Sequence, residues 1–348
     1  MAKRKFWFLF TLLLLVGTVF FVSRLRVKPV TASRFLFGTL IRITAYGSKA
    51  AAGVEQAFAE LERIHELTSQ TQGLVAQINA QAGKNPVPVG PEFFAFLQNV
   101  LRLAEASGGY FNPVIGALVE LWDFGYDGAG RLPSPAEITA VLPLTHRHLV
   151  VLDEANQTVF LKQTGMKLDL SGVAKGYGVD RAWAILKQAG VAGALINGGE
   201  SSIRVLGERP GGGPWRIAIS HPRHEGWIGI VHLTSGQALG TSADTQRYIE
   251  VEGIRYSHLL NPFTGYPATD LAAVTIMADS AMQADLFSTA VFVAEAEDRK
   301  RLLTQQKLEA LFVDRDMEVT LTPGFAARLQ RTEEEEGSSE KKAPDDRD

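Results

Sequence analysis

The stretch KLDLSGVAKGYGVDRAWAILKQAGVAGALINGGESS, Lys167–Ser202, decides the fold of this chain. Its LDL segment, 168–170, alternates apolar and polar residues as in a half-buried strand. We expect the SGVAKGYG segment, 171–178, to be a glycine-bearing turn whose backbone can approach a ligand. Apolar residues at helical spacing follow and predict a helix that ends at Gly190, before a short buried strand at Ala194–Ile196 and a tight turn. Two glycine-rich turns at strand ends suit a phosphate-bearing ligand, although many α/β units of this kind bind nothing.

Composition limits the functional classes. The chain has 348 residues, of which 46% are apolar and 21% are charged, as is usual for one large or two smaller globular domains. A net charge of −3 gives no electrostatic argument for nucleic acid. The chain has no cysteine, which excludes disulfides, thiolate nucleophiles and zinc–thiolate sites.

Residues 1–28 read as a signal-anchor or transmembrane segment. The 17 residues from Phe6 to Val22 carry no charge and follow a basic start. As a helix they would span about 26 Å, slightly less than a hydrocarbon core of about 30 Å. A cleaved signal peptide is the alternative, but basic residues rather than a small-residue cleavage site follow the run. We expect a retained single-pass anchor, whose orientation the basic flanks on both sides do not decide.

The globular region is predicted to extend over residues 33–325, and a charged, disordered tail over 332–348. Spacing of apolar residues predicts both strands and helices, which indicates a mixed α/β fold. The main predicted elements are a strand over Phe35–Tyr46, helices over Ala50–Ser69 and Phe93–Ala106, a strand over Leu271–Met277 and a helix over Ser280–Glu295.

Three polar side chains share one face of the last of these helices. Asp285, Ser288 and Thr289 stand at i, i+3 and i+4. A carboxylate with two hydroxyls is a hard oxygen cluster that suits Mg²⁺ or Ca²⁺, although a carboxylate that bonds neighbouring backbone would give the same pattern. His258, before an Asn-Pro turn, is either a general base or a structural residue. The aromatic residues of the segment 110–128 are either core or a surface for stacking a flat ring.

Taken together, six blocks resemble, in order, those of the ApbE family, the FAD:protein FMN transferases. The resemblance covers about Phe35 to Val313. The blocks are FLFGT (35–39), GGYFNPVIGALVELWDFG (108–125), LDLSGVAKGYGVDRA (168–182), INGGESSIRVLG (196–207), TSADTQRYIEVEGIRYSHLLNPFTGYP (241–267) and AMQADLFSTAVFV (281–293).

The resemblance implies central sheets flanked by helices, with the active site between two subdomains. It implies FAD as substrate in an extended pocket and Mg²⁺ at its pyrophosphate. Asp285, Thr289 and the backbone carbonyl of Ala174 match metal ligands, with Ser288 beside them, and His258 matches the candidate base. Positions that match cofactor contacts are Phe37, Tyr110, Phe111, Asn112, Ser171, Lys175, Tyr177 and Leu259.

The activity implied is transfer of the FMN moiety of FAD to a threonine or serine hydroxyl of a target protein, with release of AMP. Implied partners are FMN-binding-domain proteins such as redox-complex subunits or electron-transfer lipoproteins. With the predicted anchor, the enzyme would work on the extracytoplasmic side of a bacterial cell membrane. Two alternatives stay open: a Mg²⁺-dependent FAD pyrophosphatase that releases FMN and AMP, and a non-catalytic FAD-binding protein.

The chain departs from the family pattern at several positions, none of which is a predicted metal ligand or the candidate base. The departures are Phe37 for methionine, Asn112 and Asn261 for aspartate, Ser171 and Ala243 for glycine, and the GGESS turn for the commoner GGD.

Overall fold

Four antiparallel sheets and nine α-helices make up the part of the chain that the computed structural model describes, residues 28–124, 130–245, 247–252 and 254–331. The strands are β1 (Val30–Leu36), β2 (Thr39–Tyr46), β3 (Val87–Pro88), β4 (Val150–Asp153), β5 (Thr158–Leu161), β6 (Gly193–Gly198), β7 (Ser202–Gly207), β8 (Trp215–Ser220), β9 (Trp227–Leu233), β10 (Ala238–Ala243), β11 (Tyr248–Val251), β12 (Ile254–Ser257), β13 (Leu271–Ala278), β14 (Glu309–Asp314), β15 (Val319–Leu321) and β16 (Leu329–Arg331). The helices are α1 (Ala50–Thr68), α2 (Leu74–Ala80), α3 (Gly90–Ala106), α4 (Gly116–Trp122), α5 (Pro135–Val141), α6 (Ser171–Gln188), α7 (Ala281–Val293), α8 (Ala296–Gln306) and α9 (Pro323–Ala326).

The largest sheet has eight strands in the order β1-β2-β6-β7-β10-β13-β14-β15. Every neighbouring pair is antiparallel. A three-stranded sheet has the order β16-β9-β8, so that β8 is an edge strand. The other two sheets are β3-β5-β4 and the hairpin β11-β12.

Both faces of the eight-stranded sheet are covered. On one face, α1 and α6 pack against β1, β2 and β6, and α7 packs against β10 and β13. On the other face, the isoleucines of β8 join a core with residues of β7, β10, β13 and β14. Successive side chains of β13 alternate between these layers. Val274 faces the helices, and Ala273 faces the β16-β9-β8 sheet. The predicted mixed α/β fold with helices flanking central sheets is confirmed.

The stretch Lys167–Ser202 differs from its predicted structure at the start of its helix. Residues 168–170 form no strand, and α6 begins at Ser171, so the expected glycine turn is the start of the helix. Its glycines permit close packing instead: a Cβ atom on Gly176 would lie 2.5 Å from the carbonyl oxygen of Ala281. Gly190, with φ of +75°, follows the helix end as predicted.

The strand predicted over Phe35–Tyr46 is wrong as a single element. It is the β1–β2 hairpin, with Phe37 and Gly38 at its turn and positive φ at both positions. The helices predicted over Ala50–Ser69, Phe93–Ala106 and Ser280–Glu295 are present, with no end shifted by more than three residues.

The predicted anchor, residues 1–28, and the predicted tail, 332–348, lie outside the described residues except for Lys28. Among the helices that the structure describes, none is both long enough and apolar enough to span a bilayer.

Candidate active site

A cavity of about 880 Å³ is bordered by the first turns of α6, one face of α7, the β1–β2 turn and strand β8. Eleven of the thirteen predicted site residues line it, so residues far apart in sequence converge on one place. These eleven are Phe37, Tyr110, Phe111, Asn112, Ser171, Lys175, His258, Leu259, Asp285, Ser288 and Thr289.

Asp285, on α7, is a buried carboxylate that lines the cavity, with 6% of its surface exposed. Its Oδ2 accepts a hydrogen bond from the Ser202 hydroxyl and lies 3.6 Å from the Lys175 ammonium nitrogen. Burial raises the pKa of Asp285 from its ordinary 3.8 to about 6, although Lys175 and Ser202 act in the opposite direction. The ionised carboxylate is therefore only partly compensated, which favours binding of a further cation.

Three hydroxyl residues, Ser242, Ser288 and Thr289, line the same cavity as Asp285. The Oγ of Ser242, at the end of β10, is 2.8 Å from Ser288 Oγ and 3.2 Å from Thr289 Oγ1. Ser288 Oγ also donates to the backbone carbonyl of Asp285, at 2.9 Å. Asp285, Ser288 and Thr289 therefore share one face of α7, as their spacing predicts, and present only oxygen atoms.

Lys175 brings a cation to the same wall. Its ammonium donates to Ser201 Oγ and Ser202 Oγ, both at 2.7 Å, and the side chain is only 15% exposed. It is also ion-paired with Asp285 at 3.6 Å, and its positive charge would attract a phosphate group that enters the cavity.

Ala174, the predicted carbonyl ligand, is buried and does not border the cavity. The backbone of Gly176, also on α6, acts to lower the pKa of Asp285, against the effect of burial. The close approach of α6 to α7 is possible because Gly176 lacks a side chain at the contact between them.

His258 follows β12 and lies on the cavity wall. Its Nδ1 is 3.2 Å from the backbone carbonyl of Arg247. A carbonyl only accepts hydrogen bonds, so Nδ1 carries the proton and Nε2 keeps its lone pair. Burial lowers the pKa of His258, which keeps the imidazole neutral at neutral pH and able to accept a proton.

Aromatic residues form another part of the wall. The Tyr110 hydroxyl donates a hydrogen bond to the Asp298 carboxylate. Burial is the main cause that raises the pKa of Tyr110 to about 12, and the negative charge of Asp298 adds to it. Phe111 packs against Gly172, where a Cβ atom would be 3.0 Å from the Phe111 ring. These fixed, uncharged rings provide a surface on which a flat ring could stack.

The Asn112 side chain makes two hydrogen bonds to the backbone. Its Nδ2 donates to the carbonyl of Thr145, and its Oδ1 accepts from the amide of Val114, both at 2.9 Å. An aspartate could make only the second bond. The departure from the family pattern at this position therefore matches the local hydrogen bonding.

Tyr177 does not line the cavity. Its ring stacks on Phe96 at 4.3 Å, and its hydroxyl is 3.3 Å from Glu92. Two residues after Lys175 on a helix, it points to nearly the opposite side. The prediction that Tyr177 contacts the cofactor is therefore not supported by its position.

Asp180 fixes the orientation of α7. Its carboxylate accepts hydrogen bonds from the backbone amides of Ala281 and Met282, at 2.7 and 3.0 Å, and from Ser280 Oγ at 2.6 Å. Arg204 Nη1 donates to the same carboxylate at 2.7 Å. A residue of α6 thereby caps the helix that carries Asp285.

Residues that the sequence did not single out complete the site. Ser201 and Ser202 hold Lys175 and Asp285, and Ser242 holds the α7 hydroxyls. Their only signal in the sequence was their place in motif blocks. Single serines otherwise have no local pattern that distinguishes them from surface serines.

Residues 37–312 match the sequence model of the ApbE family. The chain is 33% identical to the FAD:protein FMN transferase of Treponema pallidum over 88% of this chain and 91% of that protein. It is 34% identical to a FAD:protein FMN transferase of Klebsiella pneumoniae, over 83% and 90% of the two chains.

Solved structures show the same fold. The crystal structure of the ApbE protein from Thermotoga maritima gives a TM-score of 0.81 at 32% identity, over 87% of this chain and all of that chain. The apo flavinyl transferase ApbE of Pseudomonas stutzeri gives 0.75 at 29% identity, over 87% and 97% of the two chains.

Proposed function

The chain belongs to the ApbE family, and from this premise we propose that it is a Mg²⁺-dependent enzyme that transfers the FMN moiety of FAD to a threonine or serine hydroxyl of a target protein and releases AMP. Its similarity to relatives named FAD:protein FMN transferase supports the activity as flavin transferase. The observation that carries the finer proposal is the convergence of Asp285, Lys175 and His258 on one cavity.

The donor set fits Mg²⁺. Asp285 supplies a carboxylate, and the neighbouring hydroxyls of Ser288 and Thr289 supply neutral oxygens. In the described residues, no group of three or more His, Cys, Asp or Glu could hold a metal ion. A site with one carboxylate suits a Mg²⁺ ion that takes its remaining ligands from water and substrate phosphate. When bound, the ion would neutralise phosphate charge and stabilise the leaving group.

His258 is the proposed base. Its neutral imidazole presents Nε2 as acceptor and takes the proton of the target hydroxyl as the new O–P bond forms. The hydroxyl oxygen attacks the phosphorus on the riboflavin side, and the bond from that phosphorus to the bridging oxygen breaks. AMP departs with the electron pair of that bond, and FMN remains on the target as a phosphoester. Lys175 is placed to attract the diphosphate to the cavity.

The experiment incubates the whole chain with FAD, Mg²⁺ and a small FMN-binding-domain protein that carries an acceptor threonine. Intact mass of the acceptor and chromatography of the nucleotides are measured, with Asp285→Ala and His258→Ala beside wild type. We expect one FMN per acceptor, an equal amount of AMP, and a large loss in both variants.

Free FMN and AMP beside an unmodified acceptor would instead identify a FAD pyrophosphatase. FAD binding without turnover would identify a binding protein, and the proposal would then fail. An Arg331→Glu variant is a suitable control, since this exposed residue of β16 does not line the cavity.

The surroundings of the reaction are part of the proposal. The uncharged run from Phe6 to Val22 favours a membrane-anchored enzyme. The family resemblance, and not the charges that flank this run, is the basis for proposing that it works outside the cytoplasm on redox-complex subunits or electron-transfer lipoproteins. Carbonate washing of membranes and protease accessibility in spheroplasts test the anchor and the side. Release of the intact chain by carbonate would overturn the anchor.

A further inference from the structure

One side of the cavity has no proposed role in binding FAD or metal. It is formed by β8, where the five consecutive residues from Arg216 to Ser220 all line the cavity. Successive residues of a strand point to opposite faces. Because residues of both faces reach the cavity, it is the edge of β8, and not one face alone, that borders it.

This edge is open. In the described part of the chain, β8 pairs with β9 alone, and the other side of Trp215–Ser220 makes no backbone hydrogen bond to any other segment. An edge strand of this kind presents a row of amide and carbonyl groups that another chain can pair with. The cavity thus offers backbone hydrogen-bonding groups along a length of about 20 Å.

Strand β8 also carries a positively charged side chain, Arg216. Arg216 is exposed on the cavity wall, and its guanidinium has no hydrogen bond or ion pair within the residues that the structure describes. By contrast, Arg204 and Arg223 are each bonded to an aspartate. Ala218, the next residue on the same face, is small and leaves room beside the guanidinium.

We propose that an extended segment of the acceptor protein binds by adding as a strand to the free edge of β8, with a carboxylate of that segment paired to Arg216. Backbone pairing supplies affinity without demanding a particular sequence, and the charge pair fixes which segment enters. The segment then lies in the same cavity as Asp285 and His258, where its hydroxyl meets the reacting phosphate. This inference rests on the proposed function and names how the protein substrate is held.

The first test is kinetic and uses the whole chain with an acceptor protein that wild type flavinylates. We expect Arg216→Glu to raise the KM for the acceptor about tenfold or more, while Kd for FAD, from flavin fluorescence, stays within about twofold. Arg216→Lys should retain most of the affinity. Arg331→Glu, a charge reversal in the same sheet but outside the cavity, should change neither value. Changing the paired acceptor carboxylate to lysine should restore activity to Arg216→Glu.

The second test measures backbone pairing directly. Hydrogen exchange of the amides of β8 is followed with and without an acceptor whose target threonine is changed to valine. We expect slower exchange at β8 and no change at β4, an edge strand of another sheet that does not line the cavity. Unchanged exchange at β8 would overturn strand addition.

The outcomes separate the two proposals. If wild type transfers no FMN to any acceptor, the proposed function fails. If wild type is active but Arg216→Glu weakens FAD binding instead of acceptor binding, Arg216 contacts the dinucleotide and this inference alone fails.

Discussion

At position 112 an amide does what a carboxylate cannot do. Asn112 donates to the carbonyl of Thr145 and accepts from the amide of Val114, and only 8% of its surface is exposed. Asn261, the other asparagine that stands where aspartate is usual, has an oxygen that accepts from the amides of Phe263 and Thr264. In the sequence, both positions depart from the family pattern in the same way, with asparagine in place of aspartate. The structure distinguishes them, because the Asn112 amide both donates and accepts, whereas the bonds of Asn261 need only an accepting oxygen.

A pair of substitutions tests this difference. Asn112→Asp should lower the free energy of unfolding by about 1–3 kcal/mol, because the Thr145 carbonyl loses its donor and faces a carboxylate. Asn261→Asp keeps the accepting oxygen and should change stability by less than about 0.5 kcal/mol. Urea unfolding followed by fluorescence measures both. Equal losses in the two variants would show that the Thr145 bond is unimportant.

The helices were the most predictable elements, because their apolar spacing is a local signal. The glycine-bearing start of α6 was not, since glycine in sequence indicates either a turn or close packing. The contact of Gly176 with α7 shows that this position needs glycine for close helix packing and not for a turn. The β1–β2 hairpin was missed for a similar reason, because Phe37-Gly38 is not one of the usual dipeptides of tight hairpins.

The site residues also differ in whether a local sequence signal reveals them or only the folded structure does. The face of α7 with Asp285, Ser288 and Thr289 was predictable from helical spacing alone. Ser202 and Ser242 were not, since each reaches the site from another strand and their pairing with α7 exists only in three dimensions. The family resemblance placed Tyr177 in the cavity, whereas its position on α6 turns it toward Phe96.

The contact between α6 and α7 gives an element-level prediction. Asp180→Asn preserves shape but replaces one accepting oxygen with a donor that faces backbone amides. We expect a loss of about 2–3 kcal/mol in stability and a clear drop in transfer rate, because α7 carries Asp285. Asp153→Asn, at the end of β4 where the carboxylate bonds Asn156, is the matched control and should cost clearly less stability than Asp180→Asn. Thermal unfolding and the transfer assay measure the two effects. Equal behaviour of the two variants would argue against the cap.

For the whole molecule, metal binding and stability should be linked through Asp285. Its pKa is higher in the folded protein, about 6, than in the unfolded chain, near 3.8, so its ionisation opposes folding. Metal-free protein should therefore lose stability from this group as pH rises through that window, by roughly 3 kcal/mol at most.

Mg²⁺ should reverse this loss. We expect the metal to raise Tm clearly at about pH 8 and progressively less as pH falls through about 6, because protons then compete for the carboxylate. Scanning calorimetry with and without Mg²⁺ measures the shift. Asp285→Asn should show little shift at any pH, and a wild-type shift that is unchanged down to about pH 5 would contradict the role of Asp285.

The order of the eight-stranded sheet also has a consequence for how the chain folds. β2 pairs with β6, so Ile41 finds its partner Gly198 only 157 residues later in the chain. An isolated two-stranded hairpin is marginal in water, so β1–β2 must wait for the middle of the chain before it is secured. Such non-local pairing gives a high contact order and predicts slow folding, in which the N-terminal hairpin is among the last strands to be fixed.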